Sequence, residues 1–167
     1  MEHQDRVDEV MDAWRTELPE VATLPLELAE RVRMLAVRCD AAAHDVLSPH
    51  GVTYAEFEVL AALRRARPPH RLKPSELARR SMLSSGGTSN ALLRLTAIGL
   101  AERAPDPTDG RSSWVSLTPK GAALTEDLAR ATTAAYTRLF GDLPPDTAGR
   151  LATVLRTALH TLPEPAG

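Results

Sequence analysis

The sequence predicts a mainly α-helical chain with one small β-hairpin near its middle. Three observations predict it. Apolar residues recur at spacings of three and four along five long segments, each bounded by Pro, Gly or a capping residue. One short stretch alternates instead, as paired strands do. The 167 residues are 43% hydrophobic but contain only two Trp, two Tyr and two Phe, so the core is expected to be aliphatic side chains between helices. The length suits a single domain, residues 1–167.

The first helix is expected over about residues 4–17, where Val7, Val10, Met11 and Trp14 fall on one face before Leu18-Pro19 stops it. A second, about residues 25–47, carries Leu28, Val32, Leu35, Cys39, Ala42, Ala43 and Val46 on one stripe and ends at SPHG. Thr53 caps a third, with Glu56 in its first turn and Phe57, Leu60 and Leu63 inside; Arg67 to His70, RPPH, breaks it. Thr118-Pro119 starts a long helix to about Phe140 by the N-cap and first-turn proline rule, and a last helix covers about residues 146–161. Residues 1–48 and 119–163 thus supply long helices around a central lobe, residues 53–118. Their apolar stripes exceed what one chain of this size covers, which implies a helical dimer interface.

The lobe carries the chemistry. In LKPSELARRS, Pro74 suits the first helical position, Glu76 favours the positive helix end, and Leu77 and Ala78 face inward. SMLSS is the turn. Ser84 or Ser85 caps the next helix, and Gly99 ends it. Projection at 100° per residue puts Thr88, Ala91, Leu92, Leu95 and Ile98 on one side. Gly86, Ser89, Asn90, Leu93 and Ala97 lie on the other, with Arg94 at its edge. Glycine early in a helix costs about 1 kcal/mol relative to alanine, a cost a purely structural helix has little reason to carry. LAERAP and SSWVSL then alternate around the turn DPTDGR, where Asp109 is placed to fix Arg111 by a charge-assisted hydrogen bond. The whole is a winged helix-turn-helix.

The overall charge of −2 hides a strong polarity. Between Arg64 and Lys120 stand eleven basic residues and four acids, a net +7, while the remaining residues carry −9. A positive middle draws a phosphate backbone. The candidate contacts to double-stranded DNA are Lys73, Ser84, Ser85, Gly86, Thr88, Ser89, Asn90, Arg94, Asp109, Arg111 and Ser112. Ser89 and Asn90 are the expected base readers. Arg94 and Arg111 are the expected electrostatic contacts, Arg111 toward a minor groove.

Other classes are disfavoured. No run approaches about 18 apolar residues, and MEHQDRVDEV carries acids where a leader would be apolar, so no membrane partner and a cytoplasmic location, on the nucleoid when DNA-bound, are expected. No cofactor is implied. Ser84, Ser85, Glu58 and the histidines form no nucleophile, base and acid pattern, so no enzyme is expected. The single cysteine, Cys39, leaves a redox response as one alternative, and Cys39 with His44 and His50 a metal response as another, though their spacing is irregular. A non-specific architectural DNA-binding protein is the alternative among binders.

Over about residues 26–162 the chain resembles the MarR family of winged-helix transcriptional regulators. The resemblance rests on PSELARRSMLSSGGTSNALLRLTAIGLAER, Asp109 to Arg111, and VSLTPKG at residues 115–121. It implies a homodimer on a palindromic operator, half-sites about 10 bp apart, with repression released by a small effector. DAWRTELP at residues 12–19, RRARPPHRLKP and SSGGTSN are similar to the urate-responsive, PecS-like branch with its extra N-terminal helix. That likeness implies an effector site at Trp14, Glu58, Arg103 and position 91. Here Glu58 replaces the usual Asp, and Ala91 lacks the guanidinium that an anionic purine needs, which argues against urate. Leu93 stands where such relatives commonly carry a polar residue.

Overall fold

The computed structural model describes residues 4–81 and 83–163, and of residues 109–111 only the backbone. It divides into two compact units, residues 1–41 and 42–167.

In the first unit, α1 (Arg6–Glu17) begins with a reciprocal cap. The Asp5 carboxylate accepts the N–H groups of Val7 and Asp8, and the Asp8 carboxylate accepts that of Asp5. Helix capping of this kind is worth about 1 kcal/mol and moves the start two residues past the expected Gln4. Val7 and Met11 are buried, whereas Trp14 is 41% exposed. Pro19–Val21 make a single 3-10 turn before α2 (Leu24–Leu47), which continues into the second unit. Arg31 of α2 reaches back to Asp5 (3.0 Å) and Asp8 (2.6 Å) and along its own helix to Glu27, tying α1 to α2.

The second unit is organised around α3 (Tyr54–Arg65). Thr53 and Glu56 form a capping box, and every residue from Glu56 to Leu63 is buried. α3 packs against α4 (Pro74–Ser81), α5 (Ser85–Ala97) and α6 (Pro119–Phe140). Val59, Leu60, Leu63, Leu77, Leu92, Leu95 and Leu128 are among its fully buried side chains, each worth about 1.5–3 kcal/mol of transfer free energy. α7 (Pro145–Thr161) follows, starting one residue before its expected Asp146.

Three antiparallel strands pair in the order β1–β3–β2, from β1 (Arg71–Leu72), β2 (Ala101–Asp106) and β3 (Asp109–Leu117). Leu72 and Arg103 both oppose Val115, which is fully buried. β1 is an addition to the expected hairpin. The hairpin turn is also tighter than DPTDGR suggests: pairing runs on to Asp106 and Asp109 and leaves Pro107 and Thr108 between the strands.

α5 joins α6 through a compact splice. Gly99, at φ 72°, takes the left-handed conformation that ends α5. The Leu100 carbonyl then accepts the Thr118 N–H (3.1 Å), the Thr118 hydroxyl donates to the Gly99 carbonyl (2.8 Å), and the same hydroxyl accepts the Gly121 N–H (3.0 Å). Gly121 lies so close that a Cβ there would stand 1.9 Å from the Leu100 oxygen.

Candidate nucleic-acid interface

α5 starts where Ser84 accepts the Gly87 N–H (3.1 Å), which leaves the positive end of the helix facing outward. Ser84, Ser85, Gly86, Ser89, Asn90, Leu93 and Ala97 are exposed, and Ala91, Leu92 and Leu95 are buried against the lobe. The outward face is therefore small and polar near the N-terminus, with one large apolar side chain, Leu93. Two side chains depart from their expected places. Thr88, included among the DNA contacts, is buried: its hydroxyl donates to the Ser84 carbonyl (3.0 Å) and faces Ser81. Ile98, expected inward, is 40% exposed because it is the C-cap of α5 and no longer follows the helical projection.

Two of the expected cationic contacts, Arg94 and Lys73, are engaged within the fold. Both Glu56 oxygens accept from Arg94 Nη1, at 2.5 and 2.6 Å, and the Gly51 carbonyl accepts from Nη2 at 2.9 Å. Burial works to raise the Glu56 carboxyl pKa, but the Thr53 N–H and the Arg94 guanidinium outweigh it and hold the carboxyl below its ordinary value. Lys73 is similarly engaged, its Nζ 3.0 Å from the buried Asp106 carboxylate. The Thr108 N–H (3.0 Å) and hydroxyl (2.7 Å) donate to the other Asp106 oxygen. These donors, and then Lys73, keep Asp106 well below the usual carboxylate range. Lys73 and Arg71 both stand over the Trp114 ring, at 5.3 and 4.5 Å from its centroid.

The positive surface is carried by other residues. Among the described residues Arg67, Arg71, Arg79, Arg80 and Arg103 make no ion pair, whereas Arg64 pairs with Glu126 and Arg65 stands 3.6 Å from Glu58. Arg67, Arg71 and Arg80 line a recess of about 320 Å³ together with Pro68, Pro69 and Trp114. The sequence counted these cations without placing any of them at the interface. Ser112 lies half-exposed on β3, and the side chains of Asp109 and Arg111 lie outside the described residues.

Residues 50–112, which span α3, both helices of the helix-turn-helix and most of the hairpin, match the MarR family profile. The chain is 30% identical over 118 residues to the HTH-type transcriptional regulator PecS of Dickeya dadantii, covering 71% of each. The chain belongs to the MarR family. It is also 34% identical over 101 residues to the multiple antibiotic resistance protein MarR of Escherichia coli K12, covering 60% of this chain and 68% of that one. Among solved structures, a cysteine-to-serine mutant of E. coli MarR in complex with operator DNA superposes with a TM-score of 0.72 at 28% identity, over 87% of this chain and 97% of that one. Bordetella bronchiseptica BpsR, solved in a study of how 6-hydroxynicotinic acid regulates its DNA binding, gives 0.71 at 25% identity, over 79% and 98%. This MarR-family chain is a DNA-binding transcriptional regulator working through a winged helix-turn-helix.

The effector candidates of this MarR-family chain are dispersed over several elements. Trp14 is on α1, Glu58 on α3 and Arg103 on β2, and no hydrogen bond or ion pair joins Glu58 to Arg103 among the described residues. Glu58 is 8% exposed, and its Oε2 has no hydrogen-bond partner, Arg65 being within ion-pair range only. Burial, and then the Glu58 charge, push the neighbouring Tyr54 phenol up to about 12. Cys39 is half-buried on α2, and desolvation followed by Asp40 raises its thiol pKa. That shift disfavours the thiolate a redox response requires. No cluster of three His, Cys, Asp or Glu side chains able to hold a metal ion occurs among the described residues, and no helix there is long and apolar enough to cross a membrane.

Proposed function

We propose that the protein is a homodimeric repressor that places α5 of each subunit in successive major grooves of a palindromic operator. The exposed stripe of Gly86, Ser89 and Asn90 at a capped helix start carries this reading: close approach, hydrogen bonding and a positive helix end coincide there. The wing, through Arg111, is proposed to enter the adjacent minor groove. Dimerisation falls to the terminal helices, residues 1–48 and 119–163. Leu28 and Val32 of α2 and Val154 and Leu159 of α7 are exposed large apolar residues that a second copy would bury.

Release is proposed to follow binding of a small anionic effector, with Trp14, Glu58 and Arg103 as the residues to test. Glu58 Oε2, which has the Arg65 guanidinium at 3.6 Å but no hydrogen bond, supports a ligand that also carries an N–H or O–H donor, since a buried acceptor without a donor is costly. Similarity to PecS supports the same branch of the family. Ala91 still argues against urate. A coupling of about 3 kcal/mol between effector and operator suffices for release.

Footprinting on sequence-selected duplexes, combined with sedimentation, tests the proposal. A discrete two-fold footprint from a dimer is the expected result. Uniform, strongly salt-sensitive coverage, or a monomer at micromolar concentration, sinks it.

A further inference from the structure

Leu93 is 71% exposed, the most exposed of the large apolar side chains on the helix-turn-helix among the described residues. It lies on the outward face of α5, three residues after Asn90, four after Ser89 and four before Ala97. Its direction is fixed. Ala91, Leu92 and Leu95 are buried on the opposite side of α5, and the adjacent Arg94 is bonded to Glu56 and to the Gly51 carbonyl, so a roll of the helix would expose apolar surface and disturb those bonds.

A protein partner is a poor fit for this side chain. Such interfaces want a contiguous apolar patch, whereas the neighbours of Leu93 on its face are Gly86, Ser89, Asn90 and Ala97, all small or polar. A single apolar point among hydrogen-bonding groups is complementary to a major groove, where the thymine 5-methyl is the one apolar group on the base edges. The rise from Asn90 to Leu93 is about 4.5 Å along the helix, between one and two base-pair steps of about 3.4 Å.

We propose that Leu93 is a specificity-determining residue that packs on the 5-methyl group of a thymine in each half-site, within two base pairs of the base read by Asn90. This rests on the assignment of α5 as the groove-reading helix. It adds an apolar readout to the polar one, at a position where the resemblance leads one to expect a polar side chain.

The test uses the full-length protein and duplexes selected from random DNA, with each thymine replaced in turn by deoxyuridine, which lacks only the methyl group. One thymine per half-site is expected to weaken wild-type binding about fourfold when replaced, the worth of one buried methyl, and about fifteenfold when both half-sites are changed. Leu93→Ala is expected to bind thymine and deoxyuridine duplexes equally, and Leu93→Met to keep the discrimination. Because Leu93 is exposed, both variants are expected to melt within about 1 °C of wild type. A selected site with no wild-type response to any deoxyuridine overturns this inference alone, as does undiminished sensitivity in Leu93→Ala. Failure to select any discrete site overturns the regulator reading with it.

Discussion

Arg94→Ala separates two roles that a basic residue on a DNA-binding helix can play. In the structure its guanidinium is engaged by Glu56 and the Gly51 carbonyl, which makes it a positioning residue for α5. Breaking a fully buried ion pair costs about 3–5 kcal/mol and breaking an exposed one under about 1 kcal/mol. Here Glu56 is 3% exposed but the Arg94 side chain 49%, and Glu56 keeps its bond to the Thr53 N–H. An intermediate loss of about 2 kcal/mol follows, or about 4–8 °C in Tm for a chain of this size. Glu56→Gln is expected to fall by a similar amount. Operator affinity, measured by fluorescence anisotropy from 50 to 300 mM salt, is expected to drop with the slope of log K against log salt unchanged. A phosphate contact behaves oppositely, lowering that slope by about 1 with little change in Tm. If Arg94→Ala melts within 1 °C of wild type and loses a unit of slope, the positioning argument is wrong.

The Glu56 carboxyl also sets a pH dependence. Its folded pKa is lowered, so the stability it contributes is present above the ordinary value of 4.5 and is lost as pH falls through the lowered folded value; Arg94→Ala is expected to flatten the acid limb of a Tm-against-pH curve in that region. Gly86→Ala is expected to raise Tm by about 3 °C, since a Cβ there meets nothing and alanine favours the helix by about 1 kcal/mol, while weakening operator binding by keeping α5 off the groove; calorimetry and anisotropy on one sample should show opposite signs. Gly121→Ala drives a Cβ into the Leu100 carbonyl and is expected to cost about 3 kcal/mol in urea unfolding, and an effect under 0.5 kcal/mol would refute the packing. Arg80→Ala removes an unpaired cation and is expected to leave Tm unchanged but reduce the salt slope by about 1.

What the sequence made legible was mostly local. Thr53 and Thr118 each cap the helix expected of them, and of Ser84 and Ser85 it is Ser84 that caps α5, because a cap is a contact across three residues. The outward stripe of α5 was legible for the same reason, since helical projection needs no tertiary information. The partners of charged side chains were not. Arg94 was read as a free cation because Glu56 lies 38 residues earlier, and Lys73 likewise because Asp106 sits across the sheet. The positive count of the lobe therefore holds, but among the described residues its members without an ion pair are Arg67, Arg71, Arg79, Arg80, Arg103 and Lys120. β1 escaped notice because two residues carry no alternation; β3 alone defines them as a strand. The hairpin turn was overestimated because Asp106, bonded to the Thr108 N–H and hydroxyl, closes it in two residues.

The splice at Gly99, Thr118 and Gly121 has a mechanical consequence. The thirteen residues of α5 extend from it over about 20 Å, packed along α3 and α4 so that the three helices move together. The α6 end of the joint is held by two bonds through the Thr118 hydroxyl and by a glycine packed on the Leu100 backbone, so the joint has almost no slack. A swing of about 10° about this pivot carries the far end of α5 through about 3.5 Å, close to the spacing of one base pair. The same swing shifts Ser89 and Asn90, about 10–12 Å from the pivot, by about 2 Å, over half a base-pair step, so a small rotation of α6 passed through this joint reaches the groove-reading residues as a change of register.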